Sequence, residues 1–409
     1  MQQNARIHSL DIIRGIAILC ILFANLPTMT GLDPFNQAGY SGTDKVIRFL
    51  VDLFIQSKFY TIFAFLFGVG FYIFMKNTEA KGYPMYRLFT RRLCIVLVFG
   101  LLHFTFLWYG DILHAYALAG FVLLFFYNRS TKLIFIAGCS FLLASYTLHV
   151  ILFLHASPSI PEEIPKYYQY MFTGNTTNLT VNLFTHYLHQ VKARLFFLMT
   201  QEFQQLLIGI PEYIGVFLIG LWAGKKNIFR LVSELRGKIK VLKWSSLFLS
   251  CLLSLPIIYY FIETDVYYSS HIQLWILFGG KTLAIFYICS LLLICEKKRY
   301  IKWLSPLMNV GKYALTNYIA QSILTLIILS GCFQDISHLF YWQLCIFGLL
   351  ICIVQCICST LWSKYFRYGP IEWLWRRWIY KRGTTSISKK NTLRACKILY
   401  SFSDNPITS

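Results

Sequence analysis

Long apolar runs recur from one end of this chain to the other, separated by short polar or basic turns. A helix needs roughly 20 mainly apolar residues to cross a hydrocarbon layer, because each residue rises about 1.5 Å and every backbone polar group must be satisfied internally. Ten windows meet that requirement: 9–27, 52–75, 92–109, 111–128, 133–155, 203–223, 244–262, 272–295, 313–332 and 339–362. The pattern predicts an all-α, polytopic membrane helix bundle. Windows three and four are separated by almost nothing, so Tyr109 and Gly110 fall in a tight hairpin turn.

Basic turns stay on the cytoplasmic side of a membrane, which gives the orientation. With the amino terminus inside, the inner turns hold Lys76, Lys81, Arg87, Arg91 and Arg92, then Arg129 and Lys132, then the basic run from Lys225 to Lys243, then Lys297, Lys298, Arg299 and Lys302. The outer turns hold only Lys45, Arg48, Lys58, Lys166, Lys192 and Arg194. Both termini are therefore expected in the cytoplasm. Residues 1–363 form the bundle, including an outer loop at 156–202, and 364–409 form a basic cytoplasmic tail. Reading the first run as a cleaved signal peptide is weaker, because no small-residue cleavage pattern follows Leu26 and its removal would leave the basic tail outside. The outer loop opens with Pro158, Pro161 and Pro165 and carries sequons at Asn175 and Asn178. From Leu183 to Leu198, apolar residues between His186, His189, Lys192 and Arg194 suit a helix lying on the outer interface, with a simple connector as the alternative.

Composition sharpens this picture. At 57% hydrophobic and 13% charged residues the chain is far from the balance of a water-soluble domain. Its net charge of +21 sits in the turns and forms no compact basic stripe, so the expected partners are anionic lipid headgroups and not nucleic acid. Most of the twelve cysteines lie in or beside apolar runs and read as small packing residues. Cys356 and Cys358 have the wrong spacing for a CxxC motif, and no metal site is assigned.

A charged side chain at bilayer depth costs about 2.5–3.5 kcal/mol on insertion scales, so each one needs a partner, an aqueous cavity or a task. Asp11 and Arg14 share a helix face and either pair or leave Arg14 to bind an anionic group. Asn25 stands about 16 Å farther along the same helix. His103, Asp111 and His114 surround the hairpin, where a carboxylate could orient an imidazole as a general base, or the three could form a satisfied polar cluster. Glu212 follows Pro211 within the sixth run and Lys281 follows Gly279 and Gly280 in the eighth; they either pair or line a substrate path. Thr316, Asn317, Tyr318 and Gln321 read first as interhelical hydrogen-bonding residues and second as a pocket lining. Glu372, Trp373, Trp375, Arg376, Arg377 and Trp378 read as an interfacial anchor.

Six stretches carry a family resemblance: SLDIIRGIAILCILFAN from Ser9, FYTIFAFLFGVGF from Phe59, GLLHFTFLWYGDILHAYALAG from Gly100, VFLIGLWAGKKNIF from Val216, GKYALTNYIAQSIL from Gly311 and YGPIEWLWR from Tyr368. In this order they resemble the YeiB-like proteins, bacterial multi-pass membrane proteins whose conserved region is domain of unknown function 418. The opening helix is similar to those of acyltransferase-3 proteins and of lysosomal heparan-alpha-glucosaminide N-acetyltransferase. The resemblance implies a transmembrane acyltransferase in the bacterial cytoplasmic membrane. Acyl-CoA would be its co-substrate, an envelope sugar, polymer or lipid its acceptor, and no cofactor would be tightly bound. Arg14 matches the arginine expected near the cofactor. Asn25 stands where acyltransferase-3 proteins carry a histidine, so that base does not transfer; the N-acetyltransferase group also has asparagine there, but residues 26–58 lack the histidine it uses.

Under that reading His103 is the candidate base, Asp111 its orienting carboxylate and Asn25 an oxyanion or acceptor ligand, while Arg14, Arg91 and Arg92 hold phosphates at the inner face. The competing readings are a transporter or lipid flippase and a membrane scaffold without turnover. No convincing internal repeat relates runs one to five with six to ten, which leans away from transport. If the chemistry is catalytic, the ionic residues of runs one, three and four should converge on a shared wet chamber.

Overall fold

The computed structural model describes residues 7–30, 32–33, 38–155, 183–200, 202–332 and 340–380. The proline-rich opening of the long outer loop, its two sequons and the tail beyond Tyr380 lie outside the described residues.

Every apolar window coincides with helix. In chain order the helices are α1 (His8–Thr30), α2 (Gly42–Phe54), α3 (Phe59–Glu79), α4 (Met85–Phe106), α5 (Leu113–Phe126), α6 (Thr131–His155), α7 (Leu183–Thr200) and α8 (Glu202–Lys225). They continue as α9 (Arg236–Glu263), a 3-10 turn (Ser269–Ile272), α10 (Gln273–Cys295), α11 (Lys298–Trp303), α12 (Ser305–Lys312), α13 (Ala314–Cys332), α14 (Tyr341–Tyr365) and α15 (Pro370–Tyr380). Among the described residues, eight helical segments are long and apolar enough to cross a membrane, and α5 and Ala314–Ile327 of α13 are shorter apolar helices. The chain is an all-α, multi-pass membrane bundle. At 14 residues, α5 spans only about 21 Å by its rise, less than the roughly 30 Å of a hydrocarbon core. The polar hairpin before it therefore has room to sit below the membrane surface.

Between helices in lipid the attraction comes from close packing, and small residues permit it. α1 crosses α12 where Gly15 meets Gly311: a β-carbon on Gly15 would stand 1.9 Å from the Leu307 carbonyl oxygen, and one on Gly311 1.8 Å from that of Asp11. α3 crosses α8 in the same way at Gly68 and Gly220. Around these crossings Ile13, Ile62, Leu66, Phe217, Leu218 and Leu221 are almost fully buried. The opposite surfaces of α6, α9 and α14 expose Leu143, Leu154, Phe248, Leu255 and Leu349, as a lipid-facing belt does.

Two elements differ from the simplest reading of the sequence. Residues 42–54, placed mostly in an outer turn, form α2, whose Arg48 and Asp52 face inward against Ser269 of the 3-10 turn. The first part of the basic tail is not free of the bundle: α15 packs against α4 and α13.

Candidate functional site

The site begins with a glycine. At Gly100 the backbones of α4 and α5 come so close that a β-carbon would lie 2.3 Å from the His114 backbone nitrogen. This contact brings His103, one turn farther along α4, against the start of α5. Asp111, in the turn, accepts the His114 backbone N–H at 2.9 Å, satisfying one of the open donors of the first helical turn. Its two oxygens then reach two imidazoles: Oδ1 lies 2.9 Å from His103 Nδ1 and Oδ2 lies 2.9 Å from His114 Nδ1. The His103 contact is close but off the N–H axis.

The chain of polar contacts extends at both ends. His114 Nε2 is 2.9 Å from Glu202 Oε1 on α8, and His103 Nε2 is 2.8 Å from Ser322 Oγ on α13. The Tyr318 hydroxyl donates to Asp111 Oδ1 at 3.4 Å, and the Tyr318 ring lies 5.0 Å from the His103 ring. Carboxylates on both sides place His114 to donate through both ring nitrogens, which makes it a bridge and a poor base. A hydroxyl at Nε2 and a carboxylate beside Nδ1 leave His103 able to accept a proton at Nε2.

This cluster is sealed. His103 and Ser322 are 2% and 4% exposed, so a reacting group reaches them only when the surrounding helices part. α7 lies over the hairpin end: Phe197 stacks on Phe104 at 6.2 Å, and the Tyr187 hydroxyl donates to the Phe106 carbonyl at 2.8 Å. Arg194 of α7 is turned inward and 3% exposed, and burial pulls its guanidinium down to about 10.

A second group forms at the far end of α4. Arg14 pairs with Asp11 at 3.2 Å. Arg92 stacks on Trp375 at 4.5 Å, its buried Nε has no acceptor among the described residues, and it feels the like charges of Arg14 and Arg376. Arg376 lies over the Tyr368 ring at 4.3 Å. Three guanidinium groups thus gather near one carboxylate, an arrangement suited to an anion. Arg91, the neighbour of Arg92, projects about 100° around the helix. His103 is 11 residues from Arg92, about 16 Å along α4. The ionic residues of α1, α4 and the hairpin therefore form two separate stations, which overturns the single wet chamber expected of a catalytic site, so a catalytic reading has to place donor binding and proton transfer at different stations. The Asn25 side chain has no hydrogen bond to either station among the described residues.

The remaining polar residues pair elsewhere. Lys281 and Glu212 form a buried ion pair at 2.5 Å, braced by the Tyr60 hydroxyl, which donates to Glu212 at 3.1 Å, and by Ser57. Ser57 holds the left-handed φ of 70° between α2 and α3. Asn317 bonds Ser359 at 3.0 Å, and Gln321 bonds Gln355 at 3.0 Å and the Ile18 carbonyl at 3.2 Å, which ties α13 to α14 and α1.

Ser322 and Glu202 are the site residues that sequence reasoning misses. Ser322 is an ordinary serine in an apolar run, and its partner is 219 positions away. Glu202 sits at a loop boundary, where a carboxylate reads as solvated. Arg376, read as an anchor, also belongs to the basic group; its spacing within a helix that returns to the bundle is the available clue.

Fold and site define a multi-pass helical membrane protein with a buried histidine and carboxylate cluster at one end of α4 and a partly exposed arginine group at the other. Residues 223–382 match the family described as "Protein of unknown function (DUF418)", as the motifs lead one to expect. The chain is 29% identical to "Uncharacterized protein YxaH" of Bacillus subtilis, covering 91% of this chain and 94% of that protein. It is 29% identical to "Uncharacterized 39.9 kDa protein in amylase 3'region" of Bacillus acidopullulyticus, over 95% and 97% of the two chains. Similarity to "Uncharacterized protein YeiB" of Escherichia coli is 26% identity over 95% and 99%.

Proposed function

We propose that this protein is an acyltransferase of the bacterial cytoplasmic membrane, carrying an acyl group from cytoplasmic acyl-CoA to a hydroxyl or amine of a cell-envelope sugar, polymer or lipid. The observation that carries the reading is His103, held 2.9 Å from Asp111 inside the bundle, with Arg92 at the other end of α4 and Arg14 of α1 and Arg376 of α15 near it. Acyl transfer requires a base for the acceptor proton and a donor for the oxyanion. In this reading His103 Nε2 takes the proton and Asp111 stabilises the imidazolium. Asn25 is the acceptor ligand on α1, and the arginines hold the phosphates of the donor.

A second reading, transport or lipid flipping, draws on the Lys281 and Glu212 pair, which acyl transfer does not use and which lies beside the proline, Pro211, carried inside α8. The deciding experiment titrates acetyl-CoA onto the purified full-length protein and then follows acyl transfer to envelope extracts, for wild type and His103→Ala. Saturable binding with turnover that His103→Ala abolishes is the expected result. No binding at millimolar acetyl-CoA sinks the enzyme reading in favour of transport or a scaffold.

A further inference from the structure

We infer that Ser322 is a nucleophile that carries the acyl group covalently, so that transfer proceeds in two steps through an ester on this side chain. The inference rests on the acyl-transfer reading for its substrate class but on a separate observation for its residue. Ser322 Oγ, His103 and Asp111 stand in series, 2.8 Å from Oγ to Nε2 and 2.9 Å from Nδ1 to the carboxylate. A hydroxyl, an imidazole and a carboxylate in that order are the parts of an activated serine, recognised by geometry and roles and independent of fold. His114 does not compete for the role, since carboxylates occupy both of its ring nitrogens.

Two further groups point to charge that is absent from the resting site. The indole Nε1 of Trp108 is buried without an acceptor among the described residues, and its ring stands edge-on to His103 at 6.4 Å. The hydroxyl of Thr325, one turn beyond Ser322 on α13, is also buried without a partner among the described residues. Leaving a buried donor unpaired is costly to a fold. A donor such as the Thr325 hydroxyl, one turn from the nucleophile, is suited to an oxyanion that exists only during reaction, with the Trp108 indole on the His103 side of the site.

In the first step Ser322 Oγ attacks the carbonyl carbon of an acyl thioester, and its proton passes to His103 Nε2. The tetrahedral intermediate collapses as the C–S bond breaks, and the leaving thiolate takes the proton from His103. An ester now joins the acyl group to Oγ. In the second step an acceptor hydroxyl gives its proton to Nε2 and attacks the ester carbon; the C–Oγ bond breaks and Ser322 recovers the proton. The sum is one thioester and one alcohol giving one thiol and one ester.

The test uses the full chain in lipid nanodiscs without acceptor. Acetyl-CoA or the small activated ester p-nitrophenyl acetate is added, the sample is quenched in acid, and the peptides are read by mass spectrometry. One acetyl group on the peptide containing Ser322 is expected from both donors, none in Ser322→Ala, and an acylation rate at least tenfold lower in His103→Gln. If Ser322→Ala does not fold, Ser322→Cys decides, because a thiol at this position should collect a hydroxylamine-labile thioester. Labelling by p-nitrophenyl acetate alone supports the nucleophile and removes acyl-CoA as donor. In a parallel assay with envelope extract added as acceptor, transfer from acetyl-CoA that persists in Ser322→Ala, with no adduct in wild type, overturns the inference and leaves acyl transfer standing by a direct route. No adduct from either donor also overturns it.

Discussion

Glu372 closes the first turn of the helix that carries Thr316. Its Oε1 accepts the backbone N–H groups of Leu315 at 2.9 Å and Thr316 at 3.1 Å, while Oε2 takes the Thr316 hydroxyl. A carboxylate on the open donors at a helix start satisfies them and complements the positive end of the dipole. It also fixes α15, whose Trp375 covers Arg92. Glu372→Ala should therefore lower stability by about 1–2 kcal/mol, read as a lower thermal midpoint of the detergent-solubilised protein. An unchanged midpoint would show that α15 is held by its apolar contacts alone.

The crossing of α1 and α12 should be the least tolerant place in the bundle for a small gain in size. Around Gly15 and Gly311 the nearest atoms are backbone carbonyls, which cannot turn aside as a flexible side chain can. Gly15→Val or Gly311→Val should cost about 3 kcal/mol or more, with loss of the monodisperse peak in size-exclusion chromatography. Gly70 of α3 has nothing within 4 Å of its missing β-carbon. Gly70→Ala is the matched control, and similar behaviour of the two sites would refute close backbone packing as the cause.

Removing one partner of the Lys281 and Glu212 pair leaves the other buried without its counter-ion. Lys281→Met should cost about 3–5 kcal/mol, and adding Glu212→Gln should restore much of that loss. Thermal unfolding of the two single variants and the double variant measures the coupling. If the double variant is as unstable as the sum of the singles, the pair does not act as a unit. The acyl-transfer reading further expects the stable double variant to retain turnover, whereas transport through this pair expects it to lose function.

The ten apolar runs are enough to locate the eight long apolar helical segments and the two shorter apolar helices among the described residues, because hydrocarbon forces the backbone to bond within each segment. The hairpin of α4 and α5 was legible for the same reason, and the three ionisable residues around it drew attention by their cost. Pairing across distant segments was not legible. Arg48 and Asp52 look like ordinary members of a polar turn, yet both are fully buried because Ser269, more than 200 positions later, completes their network. Ser322 is hidden by a similar cause: a serine is cheap to bury, so only the approach of His103 distinguishes it. The convergence of Arg376 with Arg14 and Arg92 depends on α15 folding back, which local sequence does not specify.

The basic group at the far end of α4 yields the prediction that separates donor binding from chemistry. Arg92 stays in place through stacking on Trp375, while its Nε lacks an acceptor among the described residues and Arg14 and Arg376 stand near it. Like charges gathered this way repel until an anion joins them, so part of the affinity for a phosphate donor comes from relief of that repulsion. Each charge-assisted contact is worth about 1.5–3 kcal/mol, and about 1.4 kcal/mol corresponds to a tenfold change. Arg92→Gln and Arg376→Gln should each weaken acetyl-CoA binding about tenfold or more, with the larger share of the kinetic effect in KM. Inorganic pyrophosphate should compete with acetyl-CoA in wild type and lose that ability in both variants. Equal binding by wild type and variants, measured by calorimetry in nanodiscs, would place the donor phosphates elsewhere and leave this group as an anchor for α15.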